Sequence, residues 1–219
     1  MTGLPVDGAL QRGNYFSEKQ FIKTEPRRGV SRNRSGTRIV SLTTDFLAGL
    51  RTAMVQECGP AASLVLHSCG RNWGKMFAKR LEKELSEFYG QPLRESPMIF
   101  FQSCLMEAFS HHGWGKIAID YAWIQHGVIV VTVENPPYAG MVPDANEPVE
   151  SLLAGILGGV FSHFSGEDLN CLQTDCQQCG AEVDRFVIGL SPRIEKVSEM
   201  KGKGASYNQI LDELKRART

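Results

Sequence analysis

Apolar residues recur along this chain first with the period of a helix and later with that of a strand. Beyond Gly59-Pro60, where a helix restarts, Trp73, Phe77, Leu81, Leu85 and Phe88 fall four or three apart, one stripe of a helix running to Tyr89. Upstream, "TRIVSL" (37–42) reads as a strand, and Asp45 caps a helix over "FLAGLRTAMVQE". Pro97 opens a further helix that Gly113 closes, with Phe101, Cys104, Leu105, Ala108 and Phe109 on one face. At "KIAIDYAWI" the period falls to two: Ile117, Ile119, Tyr121 and Trp123 alternate with Lys116, Ala118, Asp120 and Ala122. "QHG" then turns the chain and "VIVVTVE" returns, which predicts an antiparallel hairpin.

A long irregular connection follows at 135–148, with four of the ten prolines. The next helix, over 151–165, has two faces. Leu153, Ile156, Leu157, Val160, Phe161 and Phe164 are apolar, and Ser151, Gly155, Gly159 and Ser162 are small. An interior glycine costs a helix about 1 kcal/mol against alanine. Gly155, Gly158 and Gly159 together therefore ask for a close neighbour, either another backbone or a flat ligand. Two strands, about 168–174 and 184–190, flank a turn that carries cysteines; Pro192 ends the sheet, and "SYNQILDELKRA" is a peripheral terminal helix that Ser206 caps.

Composition narrows the class. The chain has 219 residues, 42% hydrophobic and 22% charged, enough for one large core and unlike a disordered, fibrous or membrane chain. With 24 basic and 24 acidic residues it has no bulk attraction for nucleic acid or anionic lipid. One basic run, Arg27, Arg28, Arg32, Arg34 and Arg38, is of a kind that meets phosphates, or else is a solvated arm. No signal peptide and no membrane span is legible. The expectation is a cytoplasmic protein with reduced cysteines.

Clustered sulfur is the most conspicuous chemistry: Cys171, Cys176 and Cys179 lie within nine positions, the last two as C-x-x-C before Gly180. Such a cluster packs a strand, holds a metal or forms a redox pair, and the spacing leaves all three open. His111 and His112 close a helix, where the dipole favours them whatever their role, and His126 lies in a turn. There is no phosphate loop, nucleophile elbow or dinucleotide fingerprint. Independent hydride chemistry is thereby disfavoured.

The order of parts resembles the 4-vinyl reductase domain family over roughly 14–198. Four stretches carry the likeness: "GTRIVSLTTDFLAGL"; "AASLVLHSCGRNWG", with its Gly-x-x-x-Gly; "SLLAGILGGVFSHFSGEDLNC"; and "DCQQCGAEVDRFVIG". Among members, those of cyanobacteria and other phototrophs are the nearest in likeness. The resemblance implies an α/β (α+β) fold, an antiparallel sheet with surrounding helices, similar to the haem-nitric-oxide and vesicle-tethering ligand-binding folds. It divides the chain into an N-terminal arm (1–36), a ligand-binding domain (37–198) and a C-terminal helix (199–219).

It further implies a non-catalytic binding protein for a hydrophobic small molecule, a tetrapyrrole or its precursor, serving pigment synthesis or photosystem assembly. Photosystem or pigment-enzyme proteins would be its partners, at the periphery of photosynthetic membranes; a homodimer stays open. The alternatives are a vinyl reductase fed by a partner or a metal–thiolate centre, and an assembly factor that binds protein alone. The apolar walls expected for the ligand are Trp73, Phe77, Phe101, Phe109, Trp123 and Phe161 with the Gly155 and Gly159 face; the anchors are His111, His112 and His126.

Zinc-binding members of the family use an upstream Cys, a Glu, a Cys and a final Cys. Here Glu150 stands near the first place, Gln173 in the second, Cys176 in the third and Asp184 in the last. A zinc or other thiolate-bound metal would fall to Cys171, Cys176, Cys179 and Asp184.

Overall fold

The computed structural model describes residues 13–17, 21–142, 145 and 147–216. Residues 1–12 and 18–20 of the expected arm lie outside them. Its next part is a small antiparallel sheet, β1 (Ile22–Glu25), β2 (Val30–Asn33) and β3 (Arg38–Ile39), in that order. The strand read at 37–42 is therefore two residues long and belongs to this sheet. A buried carboxylate fastens the arm to the body. Glu84 accepts hydrogen bonds from Tyr15 Oη (2.8 Å), Asn33 Nδ2 (2.8 Å) and Thr37 Oγ1 (2.6 Å). Tyr15, Phe16 and Phe21 bury their rings beside it.

Three helices follow: α1 (Thr44–Cys58), α2 (Ala62–Tyr89) and α3 (Met98–His111). The long helix has its expected stripe, with Phe77, Leu81 and Leu85 buried, and α1 buries no residue at all. The hairpin forms as β4 (Lys116–Asp120) and β5 (Val128–Glu134), although β4 stops short of Tyr121 and Trp123. After the proline-rich connection come α4 (Ser151–Ser165), β6 (Leu169–Asp175) and β7 (Asp184–Leu190). Strands β4-β5-β7-β6 form one wholly antiparallel sheet.

Both faces of this sheet are covered. Val131, Val133, Phe186 and Ile188 face the core shared with α2, α3 and α4. Val128, Val130 and Val187, one position out of phase, face a second core. That core is closed by α5 (Ser191–Gly202) and α6 (Tyr207–Arg216), through Ile194, Val197, Ile210, Leu211 and Leu214. The terminal helix, expected at the periphery, is thus the cover of a sheet face. Its start is a capping box: Ser206 Oγ accepts from Gln209 N, and Gln209 Oε1 accepts from Ser206 N at 2.8 Å.

The glycines of α4 meet backbone, not ligand. A methyl on Gly155 would lie 2.0 Å from the His67 carbonyl oxygen, and one on Gly159 2.2 Å from that of Arg71. The relation is reciprocal: methyls on Gly70 and Gly74 of α2 would lie 2.1 and 2.4 Å from the carbonyl oxygens of Leu152 and Ile156. Two Gly-x-x-x-Gly runs therefore let α2 and α4 cross with their main chains in contact. Among the described residues no helix is long and apolar enough to cross a membrane.

Candidate functional site

The small sheet, the segment after it, α2 and the end of α3 enclose a cavity of about 670 Å³. Cavities of roughly 300–1,000 Å³ hold most small ligands. Its walls include Ile22, Ile39, Val40, Leu42 and Leu47 on one side and Trp73, His111, His112 and Trp114 on the other. Trp73 stacks on Phe77 (centroids 4.8 Å, 13° between planes) and leans on Trp114 at 5.0 Å. Behind them Phe77 meets Phe109 edge to face at 6.2 Å. The result is a rigid aromatic wall backed by the core.

Polar groups sit at its edges. His112 Nδ1 lies 2.7 Å from the Ala108 carbonyl oxygen. A carbonyl only accepts, so Nδ1 carries the proton and Nε2 keeps its lone pair. Burial holds the His112 pKa below the usual histidine range, so the ring is neutral at neutral pH. His111 stacks on Phe16 at 5.2 Å. Arg38 and Arg80 add two guanidinium groups to the lining, a geometry suited to a carboxylate.

Of the residues expected to bind ligand, Trp73, His111 and His112 line this cavity, and Phe77 supports it. The others do not join them. Phe109 and Phe161 are core residues, and Phe101 packs edge-on against Phe164 at 4.8 Å. An apolar helix face serves the core first, and nothing in its spacing separates a wall from a filling. Trp123 and His126 lie 5.9 Å apart on the other side of the sheet, with Lys215 over the indole. Gly155 and Gly159 are occupied by α2. Arg38, Arg80 and Trp114 were missed. Trp114, between Gly113 and Gly115 just past a helix end, carried the one local signal that an aromatic side chain was being presented.

The expected metal ligands are not gathered. Cys171 points from β6 to Gly158 of α4, and its carbonyl accepts from His67 Nε2 at 3.1 Å. Cys176 and Cys179 hydrogen-bond to each other past the end of β6, and Cys176 also bonds to Asp184. Among the described residues no three His, Cys, Asp or Glu side chains surround one point.

The family's four zinc positions fare differently: they form a buried hydrogen-bonded chain. Gln173 Nε2 donates to Asp184 Oδ1 (2.7 Å), Gln173 Oε1 accepts from Glu150 N (3.0 Å), and Glu150 Oε1 accepts from Tyr138 N (2.8 Å). Both ends of the Gln173 carboxamide are spent on protein partners, and glutamine is a poor zinc donor. The residues present do not fit the zinc of the family. Burial instead raises both acids, Glu150 to about 8, with the Asp184 carboxylate adding to the rise and the Tyr138 N–H opposing it.

Comparison with known proteins agrees with this architecture. The chain is similar to the phenol-responsive sensory domain of the transcription activator PoxR, solved with phenol. Identity is 16%, the TM-score is 0.62, and 87% of this chain and 92% of that one are covered. It is similar also to a trafficking protein particle complex subunit 3 from Naegleria fowleri covalently bound to palmitic acid (13%, TM-score 0.49, 68% and 95%). A vinyl-4-reductase family protein from Methanocaldococcus jannaschii is a third (15%, TM-score 0.41, 68% and 96%). At these identities the first likeness is one of fold. No curated protein sequence matches the chain. Residues 129–190, from β5 through β7, match the model of the 4-vinyl reductase domain family. The family read from the sequence is thus confirmed, and this chain carries a 4-vinyl reductase domain.

Proposed function

We propose that this chain is a small-molecule-binding protein whose ligand, flat and largely apolar, lies in the cavity against Trp73 and Trp114. The observation that carries this reading is an aromatic wall bordered by a neutral, oriented imidazole and two guanidinium groups. A 4-vinyl reductase domain and the fold of a phenol-sensing domain are consistent with it.

A tetrapyrrole or its precursor suits these walls chemically. Its macrocycle would stack on indole, its carboxylates would meet Arg38 and Arg80, and a central metal would find the Nε2 lone pair of His112. Service to pigment synthesis or photosystem assembly, at a photosynthetic membrane, belongs to this proposal and rests on the family resemblance. The thiols lend no support to a reductase. Neither Cys176 nor Cys179 lines the cavity, and burial together with Cys176 raises Cys179 to about 11, the reverse of a reactive dithiol.

The test is a titration with haemin and with metal-free protoporphyrin IX, following Trp fluorescence and the Soret band. Saturable binding of both is expected, with His112→Ala weakening haemin alone. Absence of saturable binding by either would overturn the tetrapyrrole reading. Saturable binding of phenol-sized aromatics in its place would retain the cavity and change the ligand.

A further inference from the structure

We infer that the small sheet and the segment after it form a docking surface for an anionic lipid membrane, with the cavity opening onto that surface. The register of the sheet supplies the first observation. Lys23 stands opposite Arg32, and Arg32 opposite Arg38. Residues directly opposite share a face, so three cations cross the sheet in one row, about 4.8 Å from strand to strand. Like charges so placed repel. Among the described residues none of the three has an ion pair; Arg32 only donates to the Gly36 carbonyl oxygen at 2.9 Å. An anionic surface relieves what the protein leaves unbalanced.

The charge around the row is of one sign. Residues 21–51 hold seven basic and two acidic side chains, whereas the whole chain balances 24 against 24. Of the two acids, Glu25 is paired with Arg28 at 3.2 Å and Asp45 sits in the first turn of α1. The neutrality of the chain thus conceals a strongly basic segment and an acidic remainder.

The chain leaving this row supplies the second observation. Val40, Leu42 and Phe46 are 70, 57 and 52% exposed. Large apolar side chains held in water beside a cationic row match the boundary between headgroups and acyl chains. A nucleic acid would satisfy the cations and leave Val40 and Leu42 in water. Arg38, Val40 and Leu42 also line the cavity, so this surface is its mouth. An apolar ligand would then pass between bilayer and cavity without crossing water. The docking surface goes beyond the ligand reading and stands without it, because it is tested on ligand-free protein.

Flotation with vesicles of phosphatidylcholine, alone or with one third phosphatidylglycerol, decides the matter. The protein should float with the anionic vesicles only, and at least tenfold less in 0.5 M than in 0.05 M salt. Each cation at such a surface is worth about a factor of five, so Lys23→Gln with Arg32→Gln and Arg38→Gln should lower partition on the order of a hundredfold. Should the triple variant fail to fold, the exposed pair Lys23→Gln and Arg38→Gln should still lower it about twenty-five-fold. Val40→Ser with Leu42→Ser and Phe46→Ser should weaken flotation with the melting temperature unchanged. Equal flotation with neutral vesicles, indifference to charge removal, or binding to single-stranded RNA without binding to vesicles would each overturn the inference.

Discussion

Alanine at Gly159 and alanine at Gly158 should have opposite effects. At Gly159 the added methyl would lie 2.2 Å from the Arg71 carbonyl oxygen and 2.8 Å from Lys75 N. Carbon and carbonyl oxygen come no nearer than about 3.3 Å, so about 1 Å must be found. Both neighbours are main chain, and no rotamer change yields that space; α2 and α4 must separate. Gaps of 0.5–1 Å forfeit about a quarter to a half of each contact's attraction along the crossing. Overpacking costs about 1–3 kcal/mol even where side chains adjust. The better helix propensity of alanine returns about 1 kcal/mol. A net loss of about 3 kcal/mol is expected, some 6–12 °C in melting temperature for a chain of this size. One residue away, a methyl on Gly158 would touch Cys171 Cβ at 3.4 Å, an ordinary contact. There alanine should be neutral or should stabilise by up to about 1 kcal/mol. Urea denaturation followed by circular dichroism measures both. Equal stability of Gly159→Ala and parent, or an equal loss at Gly158, would refute the close crossing.

Three further outcomes are expected. Glu150, pushed up to about 8 by burial, contributes stability that is complete below the ordinary carboxylate range and is lost as pH rises toward 8. Across that window each pH unit should remove about 1.4 kcal/mol, and Glu150→Gln should flatten the profile measured by denaturation at pH 5 and pH 8. Glu84→Leu strands the donors Tyr15, Asn33 and Thr37, so it should cost about 3–5 kcal/mol and speed proteolytic cleavage within residues 13–40. Leu211→Ala, on a helix the sequence places at the periphery, should cost about 2–5 kcal/mol in the same denaturation assay, because Leu211 is 4% exposed.

Elements governed by local pattern were legible. The stripe of α2, the Pro97 and Gly113 limits of α3, the hairpin and the β6–β7 pair all follow from periodicity and turn residues. The small sheet was not, because its strands "IKTE" and "VSRN" lack an apolar face and are held by Glu84, some fifty residues away. Helix α5 was missed because Pro192, read as an end, stands in the first turn of a helix, where a missing N–H costs nothing. The glycine pattern of α4 announced a close neighbour, and the Gly70–Gly74 pair was visible too; their partnership needed the fold. In the site, the indole of Trp73 and the paired histidines were legible as types. Arg38 and Arg80 were not, since a charge on a solvated helix face or in a loop reads the same whether or not a cavity lies beside it. The cysteines scattered because alternation along β6 turns Cys171 to α4, whereas Cys176 and Cys179 lie beyond the irregularity at 173–175.

The crossing of α2 and α4 has a mechanical side. Packed helices ordinarily slide by small rotamer adjustments in the layer of side chains between them. Where Gly70 and Gly74 meet Gly155 and Gly159 that layer is missing, so the two helices move as one body. Trp73 and Arg80 ride on this body, and through α4 it reaches β6. The rear wall of the cavity is therefore its stiff side. Compliance belongs to the opposite wall, the short β3 and the wholly unburied α1, and a ligand too large for the cavity at rest would gain its room there.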